Sequence, residues 1–486
     1  MLAKEQISQL VEEVMQKLAA QGAVDPAAAA GARQAAQAIA EGAVKVNPHG
    51  VYQSVAEAIR AAHAAFAQLQ ALPLAKRKEI IEAMRTAGRD NARTLAEYAV
   101  RETGLGRVAD KVQKNLFAAN KTPGVEDVVS ISWSGDDGLT IVERAPWGVI
   151  GAITPVTNPT STIINNSISL AAGGNSVVYN FHPSAKGCCA AAVEALNRAV
   201  IQAGGPASLI NCVAEPTIES AGELMKHPGI DALLVTGGGP VVKLAMTCGK
   251  KVWAAGPGNP PTVVDETADL ELAARNIVDG ASFDNTVLCT AEKECFVVAP
   301  VADKLKQLMT TSGAYEVKWS EIDRLMRLLY PNGDTAMKGL NRSYIGKDAG
   351  VILRDAGLSA PANTRLVIAD VPQDHPFVWN EMLMPVLPIV RMPDVNAAID
   401  IAIKAEKGNR HTASIHSNDI RNLSRMARES NCSIFVKNGP HFAGLGIGGE
   451  GFTSFSIAGS TGEGITSART FTRERRCALI GHMRIV

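Results

Sequence analysis

The chain has 486 residues, with 48 Lys plus Arg balanced by 48 Asp plus Glu and only 5% aromatic residues. A neutral chain offers no global field to nucleic acid or an anionic surface, and so few aromatics argue against a base-stacking platform. The length exceeds what one core organises, so two or three domains are expected, and 43 glycines among Ala-rich helical stretches fit a large α/β enzyme.

Residues 1–20 carry an amphipathic pattern: Ile7, Leu10, Val11, Val14, Met15 and Leu18 fall at helical spacing, with Glu5, Glu12, Glu13 and Lys17 off the stripe. The Gly/Pro/Ala-rich stretch Q-G-A-V-D-P-A-A-A-A-G-A-R opens a linker assigned to 21–45. The helix either packs on its own domain or docks in a partner's groove, and the linker favours docking. Its polar face is as acidic as it is basic, a poor match for a membrane surface. The opening M-L-A-K-E-Q-I-S-Q-L has no apolar core of signal-peptide length. No run approaches the roughly 18 apolar residues that cross a bilayer. The expected location is the cytosol or a body enclosed within it. The eight cysteines, at 188, 189, 212, 248, 289, 295, 432 and 477, form no C-x-x-C pair, so they read as free thiols rather than a zinc or thioredoxin-type site.

Residues 51–114 are helical in pattern. I-S-W-S-G-D-D-G-L-T-I-V-E-R-A then predicts a hairpin about Asp137-Gly138. Between residues 146 and 251 the short apolar runs G-V-I-G-A-I-T, N-S-V-V-Y-N, S-L-I-N-C-V and A-L-L-V-T alternate with helices, the sign of βαβ units and a parallel sheet. A second α/β stretch covers about 254–440, followed by a Gly-rich segment and a short basic tail.

Three places invite chemistry. In A-L-L-V-T-G-G-G-P-V-V-K a strand ends at Thr236, Gly237, Gly238 and Gly239 follow, and a helix starts near Pro240. Glycines let backbone approach a ligand and a helix N-terminus favours anions, so a pyrophosphate suits this turn; Gly-rich strand-to-helix turns are also common for purely structural reasons. G-I-G-G-E-G at 446–451 has glycine spacing without a βαβ unit after it and reads as a loop. S-F-D-N-T-V-L-C-T-A-E-K-E holds Cys289. A cysteine nucleophile must ionise and needs donors for the oxyanion it creates. Cys295, in the strand-like E-C-F-V-V, and the helical pair Cys188 and Cys189 read as core. His411 and His416, five residues apart, do not form a helical zinc pair, and no metal is expected.

Taken in order, P-W-G-V-I-G-A-I-T-P-V-T-N-P at 146–159, V-T-G-G-G at 235–239, the Cys289 segment and N-E-M-L-M-P-V at 380–386 resemble the aldehyde dehydrogenase superfamily from about residue 50 onward. Within it the chain is most similar to the CoA-acylating branch, in particular the propionaldehyde and acetaldehyde dehydrogenases of bacterial microcompartments. The resemblance implies a Rossmann-type NAD-binding domain (46–130 and 146–253), an α/β catalytic domain (254–466) and a small β oligomerisation element (131–145 and 467–486). It implies Cys289 as nucleophile, with Asn158 and the Cys289 N–H holding the oxyanion. Glu381 would meet the nicotinamide ribose, Thr236 to Gly239 the pyrophosphate, and His182 and Pro183 the adenosine. The implied ligands are NAD, coenzyme A and a short-chain aldehyde; the implied assembly is a homodimer or homotetramer. Residues 1–20 resemble the helices by which microcompartment enzymes dock on shell or core proteins, which implies a place in the microcompartment lumen.

Two departures from the family pattern matter. Hydrolytic relatives carry a glutamate that activates water, and A-A-G-P-G-N-P-P at 254–261 puts Ala255 or Gly256 there. Without that base water is a poor nucleophile, whereas the thiol of CoA is partly ionised near neutral pH and thioester exchange keeps the acyl energy. P-V-T-N-P also puts Thr157, and not Asn158, where many hydrolytic relatives have their oxyanion asparagine. The usual lysine and glutamate around the adenine ribose are not evident at 180–186, leaving NAD versus NADP open. Two competing readings are a hydrolytic dehydrogenase using another base, which would release free acid without CoA, and a catalytically silent scaffold, which Cys289, Asn158 and Glu381 argue against.

Overall fold

The apolar runs between residues 146 and 255 are short, rich in Val, Ile and Leu, and apolar at consecutive positions, as strands buried on both faces must be. In a computed structural model, which describes residues 46–485 and residues 30, 31, 34, 37 and 38, they supply five strands of a six-stranded parallel sheet, and Val51–Tyr52 adds the sixth at one edge. Its spatial order is Val51–Tyr52, Ile210–Val213, Ser176–Asn180, Val149–Ile153, Ala232–Thr236, Lys251–Ala255. Successive residues alternate between two cores. Ile150, Ala152, Val177, Tyr179 and Leu234 join one, while Val149, Ile153, Val178, Leu233 and Val235 join the other.

A seven-stranded parallel sheet repeats the plan, in the order Ala314–Val317, Leu366–Asp370, Val386–Met392, Glu294–Val298, Pro261–Val264, Thr412–His416, Ile434–Lys437. Phe296 and Val367 face one core, Cys295, Val297 and Ile368 the other. A third, antiparallel sheet joins the hairpin Ile131–Gly135 and Gly138–Pro146 to the tail strand Thr472–Ile480, with Arg475 opposite Glu143. The hairpin turns at Asp136-Asp137, one residue before the expected dipeptide, and Gly138 starts the second strand with φ +123°.

Three further features differ from the sequence reading. Val51–Tyr52, at the start of the stretch expected to be helical, is a strand paired with Cys212–Val213, and the first helix of that stretch begins at Val55. The strand Lys251–Ala255 continues past residue 253 before the chain leaves the first sheet. Within 21–45, where a linker was expected, Ala30, Gly31, Gln34, Gln37 and Ala38 are helical, because alanine runs favour helix strongly enough to absorb one glycine. Residues 1–20, and the docking helix expected there, lie outside the described residues.

The two halves interlock at a turn before Cys289. Asp284, Asn285 and Thr286 have φ of 49°, 53° and 66°, a left-handed run that costs about 1–2 kcal/mol per non-glycine residue. Other segments hold it there. The Arg107 N–H donates to Asp284 Oδ1 at 2.7 Å and the Asp284 N–H donates to Asp110 Oδ2 at 2.9 Å. Asn285 Nδ2 donates to the Gly346 carbonyl and to Asp348 Oδ1, both at 2.9 Å. Gly106 makes room for this: its φ is +73°, and a Cβ there would stand 2.0 Å from Asp284 Oδ1. Gly106→Ala is therefore expected to destabilise the chain by more than the roughly 1–2 kcal/mol of left-handed backbone strain alone, read as a lower midpoint in thermal unfolding. An unchanged midpoint would contradict this packing.

Candidate active site

In the first sheet the chain runs from Val149–Ile153 outward through Ser176–Asn180 to Ile210–Val213, then returns to Ala232–Thr236 on the other side of Val149–Ile153. Such a reversal opens a crevice beyond the carboxyl ends of the strands. Thr157 and Asn158 follow the central strand, His182 and Pro183 follow one neighbour, and Gly237 to Gly239 follow the other.

The glycines fit a bound anion. None of the three has a positive φ, so backbone conformation does not require glycine. Space does not require it either: a Cβ on Gly237 or Gly238 would have its nearest neighbour at 4.0 or 3.9 Å, and one on Gly239 would meet nothing within 4 Å. Their missing side chains leave open the approach to the helix Gly239–Met246; at its start Pro240 has no N–H and the Val241 N–H bonds the Gly238 carbonyl at 3.0 Å, so the Gly238 and Gly239 N–H groups are the ones a ligand could meet. Thr236 Oγ1 is tied to Ser456 Oγ at 2.9 Å. His182 and Pro183 are exposed, and His182 Nδ1 accepts from the Ser184 N–H at 3.2 Å, shaping a tight turn at the outer end of the crevice.

The second sheet meets this crevice with the opposite ends of its strands. Glu381, Cys289, Gly258 and His411 each precede one of four neighbouring strands: Val386–Met392, Glu294–Val298, Pro261–Val264 and Thr412–His416. Gly258 sits in the middle. A Cβ on it would lie 2.9 Å from His411 Cγ and 3.2 Å from the Cys289 carbonyl, so only glycine allows these segments to close together.

Cys289 is partly open to solvent, yet its sulfur is largely desolvated. Burial pushes its thiol up to about 11, opposed by the positive charges of Lys293 and Lys114 and assisted by the negative charge of Glu381. Lys293 is buried and donates to the Thr286 and Leu288 carbonyls at 2.8 and 3.2 Å, gathering the turn that carries the cysteine. Glu381 is likewise raised by burial, partly offset by Lys293 and by the Gly258 N–H. Burial pushes His411 down to about 4, with Lys293 adding to the effect, so the imidazole stays neutral near pH 7. The positive potential at the thiol thus comes from lysines and not from a Cys–His ion pair.

Asn158 caps the buried helix Pro159–Ala172 and is 5% exposed. Its Oδ1 accepts from Lys114 Nζ at 2.7 Å, and its Nδ2 donates to Thr157 Oγ1 at 3.2 Å. Lys114 also pairs with Asp284, as does Lys111 at 2.9 Å, and Lys111 Nζ donates to the Thr157 carbonyl at 3.1 Å. All three charged groups are buried, at 2% exposure or less.

Cys289, Asn158 and Glu381 therefore share one electrostatic neighbourhood, Thr157 adjoins it, and Thr236 to Gly239, His182 and Pro183 line the crevice leading away. Sequence reasoning passed over Lys111, Lys114, Asp284, Lys293 and Gly258, and it set His411 aside as bland. One weak signal existed: Lys111 and Lys114 stand at helical spacing with Asn115, Ala118 and Ala119, and this stripe is the buried face of Val108–Lys121. Between residues 254 and 261 there is no carboxylate; Gly256 instead faces Ser460, whose Oγ would lie 2.7 Å from a Cβ there.

Comparison with known proteins gives a consistent result. The family model described as "Aldehyde dehydrogenase family" matches residues 29–318 and 346–466. Over 443 residues, 91% of this chain and 94% of the relative, the chain is 50% identical to the acetaldehyde dehydrogenase (acetylating) EutE of Salmonella typhimurium. It is similar to the crystal structure of Rhodopseudomonas palustris propionaldehyde dehydrogenase with bound CoA and an acylated cysteine (TM-score 0.87, 43% identity, covering 89% of this chain and 98% of that one). It is also similar to a propionaldehyde dehydrogenase from the Clostridium phytofermentans fucose utilisation bacterial microcompartment (TM-score 0.88, 42% identity, covering 91% and 100%).

The state of Cys289 can be read without any substrate. The thiolate is the form that alkylates, so a thiol pushed up to about 11 reacts slowly near neutrality, and its rate climbs about tenfold per pH unit. Site-resolved mass spectrometry after brief iodoacetamide pulses between about pH 7 and 9.5 is expected to follow that slope; a plateau below pH 8 would contradict the desolvated setting.

Proposed function

The chain belongs to the aldehyde dehydrogenase family, and from that premise we infer that it is a CoA-acylating aldehyde dehydrogenase: it converts a short-chain aldehyde such as acetaldehyde or propionaldehyde, with NAD and CoA, to the acyl-CoA and NADH. The observation that carries the acyl-transfer half is the stretch 254–261, which has no carboxylate to activate water.

Cys289 is proposed as the nucleophile. Its sulfur adds to the aldehyde carbonyl carbon, forming a C–S bond, and the carbonyl oxygen takes up the negative charge. Asn158 Nδ2 and the Cys289 N–H are proposed to donate to that oxygen; loss of one such donor typically lowers the rate about 100- to 1000-fold. NAD, when bound, supplies the hydride acceptor that turns the thiohemiacetal into a thioester. Gly237 to Gly239 and the helix start behind them would hold its pyrophosphate, Glu381 its nicotinamide ribose, and His182 with Pro183 would border its adenosine. CoA then attacks the thioester carbonyl through its sulfur, and Cys289 leaves as thiolate. Lys293 and Lys114 favour that departure, because both stabilise negative charge on the Cys289 sulfur.

The three-stranded sheet suits an oligomer contact. By register it exposes Ile131, Trp133 and Ile480 on one face and Leu479 on the other, with Trp133 54% and Ile480 77% accessible, and apolar side chains exposed on an open sheet are matched by a second copy. A homodimer or homotetramer follows from this reading. The amphipathic stripe from Ile7 to Leu18 supports docking on microcompartment shell or core proteins, and hence a place in the lumen. Among the described residues no helix is long and apolar enough to cross a membrane.

Two experiments test these assignments. With C2 to C5 aldehydes and NAD, NADH formation is expected to depend on CoA and to vanish in Cys289→Ala; equal turnover to free acid without CoA would favour the hydrolytic alternative. Deleting residues 1–20 is expected to leave turnover intact and abolish co-purification with compartment proteins; unchanged co-purification would remove the docking role.

A further inference from the structure

Lys111, Lys114 and Asp284 form a charged cluster that the fold alone does not require. Two ammonium groups and one carboxylate are buried at 2% exposure or less, and one positive charge is left over. Buried ion clusters of this kind add little to stability compared with well-packed apolar residues. The cluster joins the three segments that carry the reacting groups: the helix Val108–Lys121, the turn at 157–158, and the left-handed turn at 284–286 before Cys289.

The contact to Asn158 has a defined consequence. A side-chain amide has nearly the same shape either way round, and rotation by 180° exchanges a donor for an acceptor. An ammonium group has three donors and no acceptor, so only Oδ1 can face Lys114 Nζ, at 2.7 Å. That directs Nδ2 the other way. Thr157 Oγ1 accepts one of its hydrogens at 3.2 Å, and the second is available to a ligand oxygen. The reversed amide would present Oδ1, whose lone pairs repel an oxyanion.

We propose that Lys114 is a positioning residue that fixes the amide of Asn158 with its N–H toward the substrate oxygen, Asp284 holding the ammonium in place. The inference rests on the assignment of Asn158 to the oxyanion. It accounts for an asparagine displaced by one residue from the place of many hydrolytic relatives: the donor's direction is set by the lysine on the neighbouring helix.

The cluster supplies its own control. Lys114→Met leaves Lys111 paired with Asp284, and Lys111→Met leaves Lys114 paired with Asp284, so each variant removes one positive charge and leaves a balanced pair. Only the first removes the contact to Asn158. With saturating NAD and CoA, Lys114→Met is expected to lower kcat about 10- to 100-fold with little change in KM for aldehyde, and Lys111→Met about threefold or less. Lys114→Gln, which keeps a neutral donor, should fall between wild type and Lys114→Met and serves if the methionine variant folds poorly. The decisive measurement is the double variant. If Lys114 acts through Asn158, Lys114→Met combined with Asn158→Ala is no slower than Asn158→Ala alone. Losses that multiply, or equal losses in Lys111→Met and Lys114→Met, overturn the positioning role while leaving the assignment of Asn158 standing. Full activity in Asn158→Ala overturns both.

Discussion

A sulfur that must become an anion has been placed where anions are poorly solvated, and the site is organised around that conflict. Burial, assisted by the negative charge of Glu381, holds the Cys289 thiol well above its ordinary range. Desolvation makes the eventual thiolate reactive and keeps water from competing for the acyl group, but it also opposes ionisation. The counterweight is positive charge held in place: Lys293 by two carbonyls of the preceding turn, and Lys114 by Asp284 and Asn158, although burial lowers both ammonium groups, Lys114 to about 8. Neutral His411 adds none.

The same conflict explains the backbone around the cysteine. Three successive residues in left-handed conformation are unfavourable, and Asp284, Asn285 and Thr286 are held there by groups from both sides of the crevice. Asp284 serves twice, as the anchor of the turn and as counter-ion to two buried lysines. Gly106 and Gly258 mark where side chains had to be absent for the segments to close. The turn before Cys289 is thereby coupled to the helix Val108–Lys121 and, through Lys114, to Asn158. A change at any of these positions is felt at the sulfur without touching substrate.

The crevice joins two parallel sheets in opposite sense. The loops holding Asn158, His182 and Gly237 to Gly239 leave the carboxyl ends of the first sheet, and Cys289 and Glu381 precede the amino ends of strands in the second. Each sheet is closed on both faces by apolar cores, and one core of the first sheet also takes in Leu288, Ala291, Ile434 and Val436 from the second half, which ties the two together. Glycine at 237–239, required neither by φ nor by packing, is where shaping for a ligand is most evident.

Much of this was legible along the chain, because it depends on local order. Apolar runs of strand length placed four strands between residues 149 and 236. The glycines after Thr236 marked a strand-to-helix turn, the ordered motifs pointed to Cys289, and the lack of an acid at 254–261 pointed to thiol rather than water as acyl acceptor. These signals are properties of neighbours in sequence. The electrostatics of the nucleophile are not. Nothing in the sequence reading singled out Lys111 and Lys114; the packing of their helix against residues 157–158 and 284–286 buries them and gives them an aspartate to share. His411 lies 122 positions after Cys289 in the chain, and Gly258 brings the two segments together. Periodicity can say which face of an element is apolar. Which charge stands beside which sulfur is set by contacts between distant segments, and those exist only once the two sheets have met.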